Sequence, residues 1–107
     1  MESPVDPDDL RLDMLLNLIA SAERRRILAL LIQQPRTATE LSGVLPISRQ
    51  AVSRHLNLLV HGGLIEPRTL ARRLVYDVTA SSLEIARTYI DSVQRLSAPA
   101  RLRLVQA

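Results

Sequence analysis

The sequence reads as a mainly α-helical domain with one small β-hairpin, and three observations carry that reading. Residues 46–64 spell a tight turn, a capped amphipathic helix and a glycine stop. A shorter capped helix precedes this segment across Pro46. Two arginine-rich extended runs follow it. The 107 residues suffice for one domain with one core, and without Phe or Trp that core must be Leu, Ile, Val and Ala.

Residues 1–7 read as a disordered N-terminal arm, residues 8–97 as the folded domain and residues 98–107 as a C-terminal tail. A first helix is predicted from about Asp8 to Ala20, with Leu10, Met14, Leu15, Leu18 and Ile19 in one stripe. A second, Ala22 to Gln33, is capped by Ser21, carries Glu23 at the positive end of its dipole and stops before Pro35. It is expected to bury Ile27, Leu28, Leu30 and Leu31. Thr37 and Glu40 have the spacing of a capping box, which opens a helix from Ala38 to Val44 with Leu41, Val44 and Leu45 as its apolar stripe. Pro46 cannot extend that helix and disfavours helical geometry at Leu45, so Ile47 is left to plug the corner.

The next helix carries the chemistry. Ser48 stands at its N-cap and is also expected among the residues that contact DNA. Val52, Leu56, Leu59 and Val60 form its buried face, with Ala51 and His55 at the margin. Arg49, Gln50, Ser53 and Arg54, with Asn57 at the edge, occupy the other face. These side chains suit base edges and phosphates: Arg matches guanine, Gln or Asn matches adenine, and Ser suits either. Gly62-Gly63 supply the left-handed residue that ends the helix.

A hairpin is expected next, from Leu64 to Thr69 and Arg72 to Val78. Its second strand alternates Leu74, Tyr76 and Val78 against Arg73, Val75 and Asp77. Pro67 fits only an edge, with its nitrogen facing away from the ladder. Arg68, Arg72 and Arg73 crowd the tip. A basic hairpin beside such a helix defines a winged helix-turn-helix, whose wing is expected to reach a minor groove or the phosphate backbone. The tip, Thr69-Leu-Ala-Arg72, lacks a turn glycine, which predicts a longer, distorted or mobile wing. Ser81 and Glu84 again match a capping box, opening a last helix from Ser82 to about Leu96. That helix offers Leu83, Ile85, Ala86, Tyr89, Ile90, Val93 and Leu96, more apolar surface than one side of a small core needs, and so suggests a partner helix.

Five stretches occur in order: Ala22 to Leu31, Pro35 to Leu41, Ile47 to Leu56, Gly63 to Ile65 and Arg72 to Tyr76. Over roughly residues 10–95 the chain thereby resembles the ArsR-type, metalloregulator-like winged-helix transcriptional regulators, most specifically through Ser-Arg-Gln-Ala-Val-Ser-Arg-His-Leu. The resemblance implies a cytoplasmic homodimeric repressor that releases its operator when an effector binds. It also implies that first and last helices pack across a two-fold axis, through Leu10, Met14 and Leu18 with Ile85, Tyr89, Ile90 and Val93. The family's metal ligands are missing: the chain has no cysteine, and its last helix has no histidine. Zinc, copper and arsenic need such ligands, so no metal site and no cofactor are expected. A small molecule or a protein remains open as effector.

The net charge of +3 is unevenly placed. Residues 1–13 hold five acids against Arg11, while residues 47–73 hold Arg49, Arg54, Arg68, Arg72 and Arg73 against Glu66. All 14 basic residues are arginine, and Arg24, Arg25, Arg26, Arg87 and Arg95 read as solvated charges. Enzymatic readings fare badly: there is no thiol nucleophile and no glycine-rich phosphate loop, and His55 and His61 meet no evident acid. His55 reads as a packing residue with a hydrogen bond. No apolar run reaches 18 residues and no signal peptide is visible, so a cytosolic protein without a membrane contact is expected.

The expected function is that of a dimeric, sequence-specific regulator of double-stranded DNA, reading an inverted repeat with half-sites ~10 bp apart. Two alternatives remain at this level: an architectural DNA-binding protein of low specificity, and a winged-helix module that docks a protein.

Overall fold

A computed structural model describes residues 6–79 and 81–106, with side chains described as far as Arg95. The elements follow as α1 (Pro7–Ile19), α2 (Ala22–Gln33), α3 (Ala38–Val44), α4 (Arg49–His61), β1 (Ile65–Leu70), β2 (Arg73–Val78) and α5 (Glu84–Gln106). Residues 1–5 of the expected N-terminal arm lie outside the described residues, as does the side chain of Leu96. Helix α1 begins earlier than Asp8, because Asp6 caps it by accepting the Asp8 N–H at 2.9 Å and Pro7 suits a first helical position.

The interior caps work as their sequences predict. Ser21 Oγ accepts from the Arg24 N–H, and Ser48 Oγ from the Ala51 N–H. At α3 the capping box closes both ways: Thr37 Oγ1 accepts from Glu40 N–H at 3.0 Å, and Glu40 Oε1 accepts from Thr37 N–H at 2.8 Å. At the end of α4 the Leu64 N–H reaches the Leu59 carbonyl and the Gly63 N–H reaches that of Val60, a Schellman motif. Gly63 takes the left-handed conformation at φ 77°. Gly62 is glycine for a different reason, since a Cβ there would run into Leu18 Cδ1.

The core is where these faces meet. Ile27, Leu28 and Leu31 of α2 pack with Leu41 of α3, Val52, Leu56 and Leu59 of α4, Leu64, Ile65 and Leu15. Ile47 and Leu45 seal the α3–α4 corner as partly buried residues. Val44, expected in the α3 stripe, is instead 62% exposed. On so short a helix Leu41 alone reaches the centre, and Leu45, just past the end, takes the second place.

The hairpin departs most from expectation. Its strands are paired from Ile65↔Val78 to Leu70↔Arg73, one residue later than predicted for β1 and at the start of β2. The loop is therefore only Ala71-Arg72, both left-handed at φ 51° and 65°. This is the backbone of a tight two-residue turn that glycine or asparagine usually supplies. Of the longer, distorted or mobile wing expected, the structure has the distortion: the hairpin closes tightly and places two non-glycine residues in the left-handed region. The expected alternation also shifts, with Val75 buried and Leu74 exposed. A third edge was not foreseen. Tyr76 exchanges both backbone hydrogen bonds with Arg36 in the α2–α3 link, at 3.2 and 2.8 Å. Pro67, directly opposite Tyr76, is thus spared any demand for an N–H.

The capping box at Ser81 does not form. Backbone carbonyls take the donors first, with Ser82 N–H on Thr79 and Glu84 N–H on Ser81, so residues 81–83 make a turn and α5 starts at Glu84. Helix α5 then runs past the predicted stop near Leu96, and through Pro99, to Gln106.

Candidate nucleic-acid interface

The recognition surface is built by the anchoring of α4. Val52, Leu56 and Leu59 are each at most 1% exposed, which fixes the rotation of the helix about its axis. The opposite side is thereby committed to solvent: Arg49, Gln50, Ser53, Arg54 and Asn57 are all exposed and line one shallow depression. Gln50, Ser53, Arg54 and Asn57 make no side-chain hydrogen bond among the described residues. Arg49 is different, because its Nη2 donates to Thr39 Oγ1 at 3.0 Å and so leans on the first turn of α3. Ser48 is only half available, since its oxygen is occupied by the cap and its proton alone is left for an acceptor.

A second layer holds α4 in place. Arg24 Nε and Nη2 donate to the carbonyls of Leu18 and Asn17, the open C-terminal end of α1, and its Nη1 donates to His55 Nδ1 at 3.3 Å. Arg25 reaches the Ile19 carbonyl at 2.8 Å, and Arg36 does the same for Leu30 at the end of α2. Arg24 and Arg25 are therefore structural braces rather than the solvated charges expected of them. Arg26, by contrast, is exposed and meets Glu23 only at 4.0 Å. Because a guanidinium cannot accept, the bond to Arg24 requires His55 to be neutral, with its proton on Nε2. Burial first, then the charge of Arg24 and more weakly of Arg54, hold its ionisation below the usual imidazole value of 6.5, against an opposing pull from Glu23.

The three wing arginines do not form one equivalent group. Arg68 Nη2 lies 2.9 Å from Asp77 Oδ2 across the hairpin. Arg73 Nη2 lies 3.3 Å from Glu40 Oε2 on α3. Arg72, at the left-handed tip, has no ion-pair partner among the described residues. The Glu40 carboxyl ionises below its ordinary value, chiefly through the Thr37 N–H and further through Arg73. No spacing in the chain hinted at the Glu40–Arg73 contact, which arises only where the wing folds back beside α3.

Of the residues expected at a dimer contact, Leu10, Met14, Tyr89, Ile90 and Val93 are roughly half exposed in the single chain. Leu18 and Ile85 are partly buried against the core. Helices α1 and α5 pack together, so the exposed members lie on one pair of neighbouring elements.

A helix presenting a polar-basic face, a short helix before it and a hairpin beside it define a winged helix-turn-helix DNA-binding protein. Residues 19–68 match the family described as a helix-turn-helix domain. The chain is 37% identical over 73 residues to an HTH-type transcriptional regulator, Rv2034 of Mycobacterium tuberculosis, covering 68% of each. It is 35% identical over 83 residues to the transcriptional activator HlyU of Vibrio cholerae, covering 78% of this chain and 74% of that one. Among solved structures, an ArsR-like transcriptional regulator from Rhodococcus sp. RHA1 superposes with a TM-score of 0.71 at 30% identity, over 92% of this chain and 90% of the other. The chain belongs to the ArsR-like winged helix-turn-helix family and is a DNA-binding transcription regulator.

Proposed function

We propose that the protein acts as a homodimeric, sequence-specific repressor in the cytoplasm, without catalytic activity, and that it binds an inverted-repeat operator. Arg49, Gln50, Ser53 and Arg54 read a major groove, with Asn57 at the edge and Ser48 on a phosphate. Arg68, Arg72 and Arg73 contact the backbone or minor groove from the wing. The observation that carries this reading is the exposed polar face of α4, on which Gln50, Ser53, Arg54 and Asn57 have no side-chain partner among the described residues, opposite a fully buried Val52, Leu56 and Leu59. Supporting dimerisation, the packed pair of helices α1 and α5 leaves Leu10, Met14, Tyr89, Ile90 and Val93 about half exposed. Leu10, Met14, Tyr89, Ile90 and Val93 would cover one another across the two-fold axis.

The test is selection of bound duplexes from a random DNA library, with sedimentation to count the protomers. An enriched inverted repeat bound by two protomers supports the reading. Binding without an enriched motif, or a monomer on DNA, overturns it.

A further inference from the structure

Two of the acidic residues at the basic wing, Glu40 and Asp77, are held in the same way. Glu40 places Oε1 on the Thr37 N–H at 2.8 Å and Oε2 on Arg73 at 3.3 Å. Asp77 places Oδ1 on the Val78 N–H at 2.9 Å and Oδ2 on Arg68 at 2.9 Å. Each carboxylate therefore has one oxygen fixed by the backbone and the other presented to an arginine that would otherwise face a phosphate. The two acids come from different elements, α3 and β2, and together they occupy two of the three wing cations. Arg72, at the tip, has no carboxylate partner among the described residues.

From this arrangement we infer that Glu40 and Asp77 are specificity-determining residues, which mask Arg73 and Arg68 until a seated DNA phosphate displaces them. The inference rests on the DNA-binding reading of the wing. Non-specific affinity comes almost wholly from cations that release counterions at phosphates. An arginine held by a carboxylate contributes little to a loosely docked complex, in which no phosphate sits at contact distance. Both pairs are solvent-exposed and so weak enough to exchange. In a complex where α4 is seated in its groove, a phosphate is held against the wing and the exchange becomes favourable. The carboxylates thus lower affinity for bulk DNA more than affinity for the operator, and widen the ratio between them.

The test uses amide replacements, because Glu40→Gln and Asp77→Asn keep the backbone hydrogen bond and lose the charge together with the oxygen that faces the arginine. Affinity of the full chain is measured against salt for a random-sequence duplex and for the duplex recovered by selection. Each replacement should raise random-duplex affinity by about three- to tenfold at low salt and steepen its salt slope by about 0.9. Affinity for the selected duplex should rise less, so that the specificity ratio falls. Glu66→Gln removes the same charge from β1 with no arginine pair among the described residues, and should change the slope little. In an Arg73→Ala background, Glu40→Gln should lose its effect. Slopes that match the wild type, equal gains on both duplexes, or a Glu66→Gln effect as large as the others would overturn the inference while leaving DNA binding intact. Absence of salt-dependent binding by the wild type would overturn the DNA reading and this inference with it.

Discussion

Helix α4 and the wing solve the same task by opposite means. The helix is held from behind, by three buried aliphatic side chains and the Arg24–His55 contact, and on its outer face only Arg49 has a side-chain partner, Thr39, among the described residues. The wing has little core of its own and is held from the side by the Arg36–Tyr76 bridge, while exposed ion pairs engage two of its cations. The contrast teaches where rigidity comes from. A helix separates anchoring and contacting residues by rotation about its axis, whereas a two-stranded hairpin has too few residues to assign separate ones to each task.

Breaking the anchor of α4 should have the largest effect. Leu56→Ala removes a side chain that is 1% exposed at the centre of the core. It should lower stability by about 2–5 kcal/mol, read as a fall in the urea midpoint. Next in size, the contact faces should respond differently to loss of an arginine. Arg54→Ala should cost about 1–3 kcal/mol of operator binding and relax preference at one base pair. Arg72→Ala, at the uncovered wing tip, should weaken all duplexes alike and flatten the salt slope by about 0.9. Equal loss of sequence preference from both would erase the distinction drawn between helix and wing.

The wing turn offers a smaller and opposite effect. Ala71→Gly relieves a left-handed alanine at the expense of chain entropy, so it should stabilise the fold by up to about 1 kcal/mol in thermal unfolding.

Acid should act on the α4 anchor before it acts on the wing. The folded state holds His55 neutral below 6.5, where the unfolded chain takes up a proton. Stability is therefore complete above that value and declines as the pH falls through it. His55→Gln, which can still accept from Arg24, should remove this part of the decline in urea midpoints measured against pH. Glu40, whose ionisation lies below 4.5 in the folded state, contributes stability that is lost only in the more acidic range beneath that value.

Much of this molecule is local. Ser21, Thr37 with Glu40, and Ser48 cap their helices through contacts spanning three residues, and Val52, Leu56 and Leu59 share a face because a helix repeats every 3.6 residues. Such features are legible in a chain read residue by residue, and so were α2, α3, α4 and the exposed set from Arg49 to Asn57. The Ser81 box shows the limit even here, since neighbouring carbonyls competed for the same donors and prevailed.

The roles of the charges, by contrast, were set by contacts between distant parts of the chain. All 14 basic residues are arginine, and nothing in their spacing distinguishes a brace from a contact. Arg24 became a brace because the end of α1 and His55, 31 positions away, converge on it. Arg73 was covered because the wing folds beside α3, and Arg72 was left bare because the turn closes in two residues. Caps and periodic faces depend on a few consecutive residues, but a long flexible cation takes whichever acceptor the fold brings within reach.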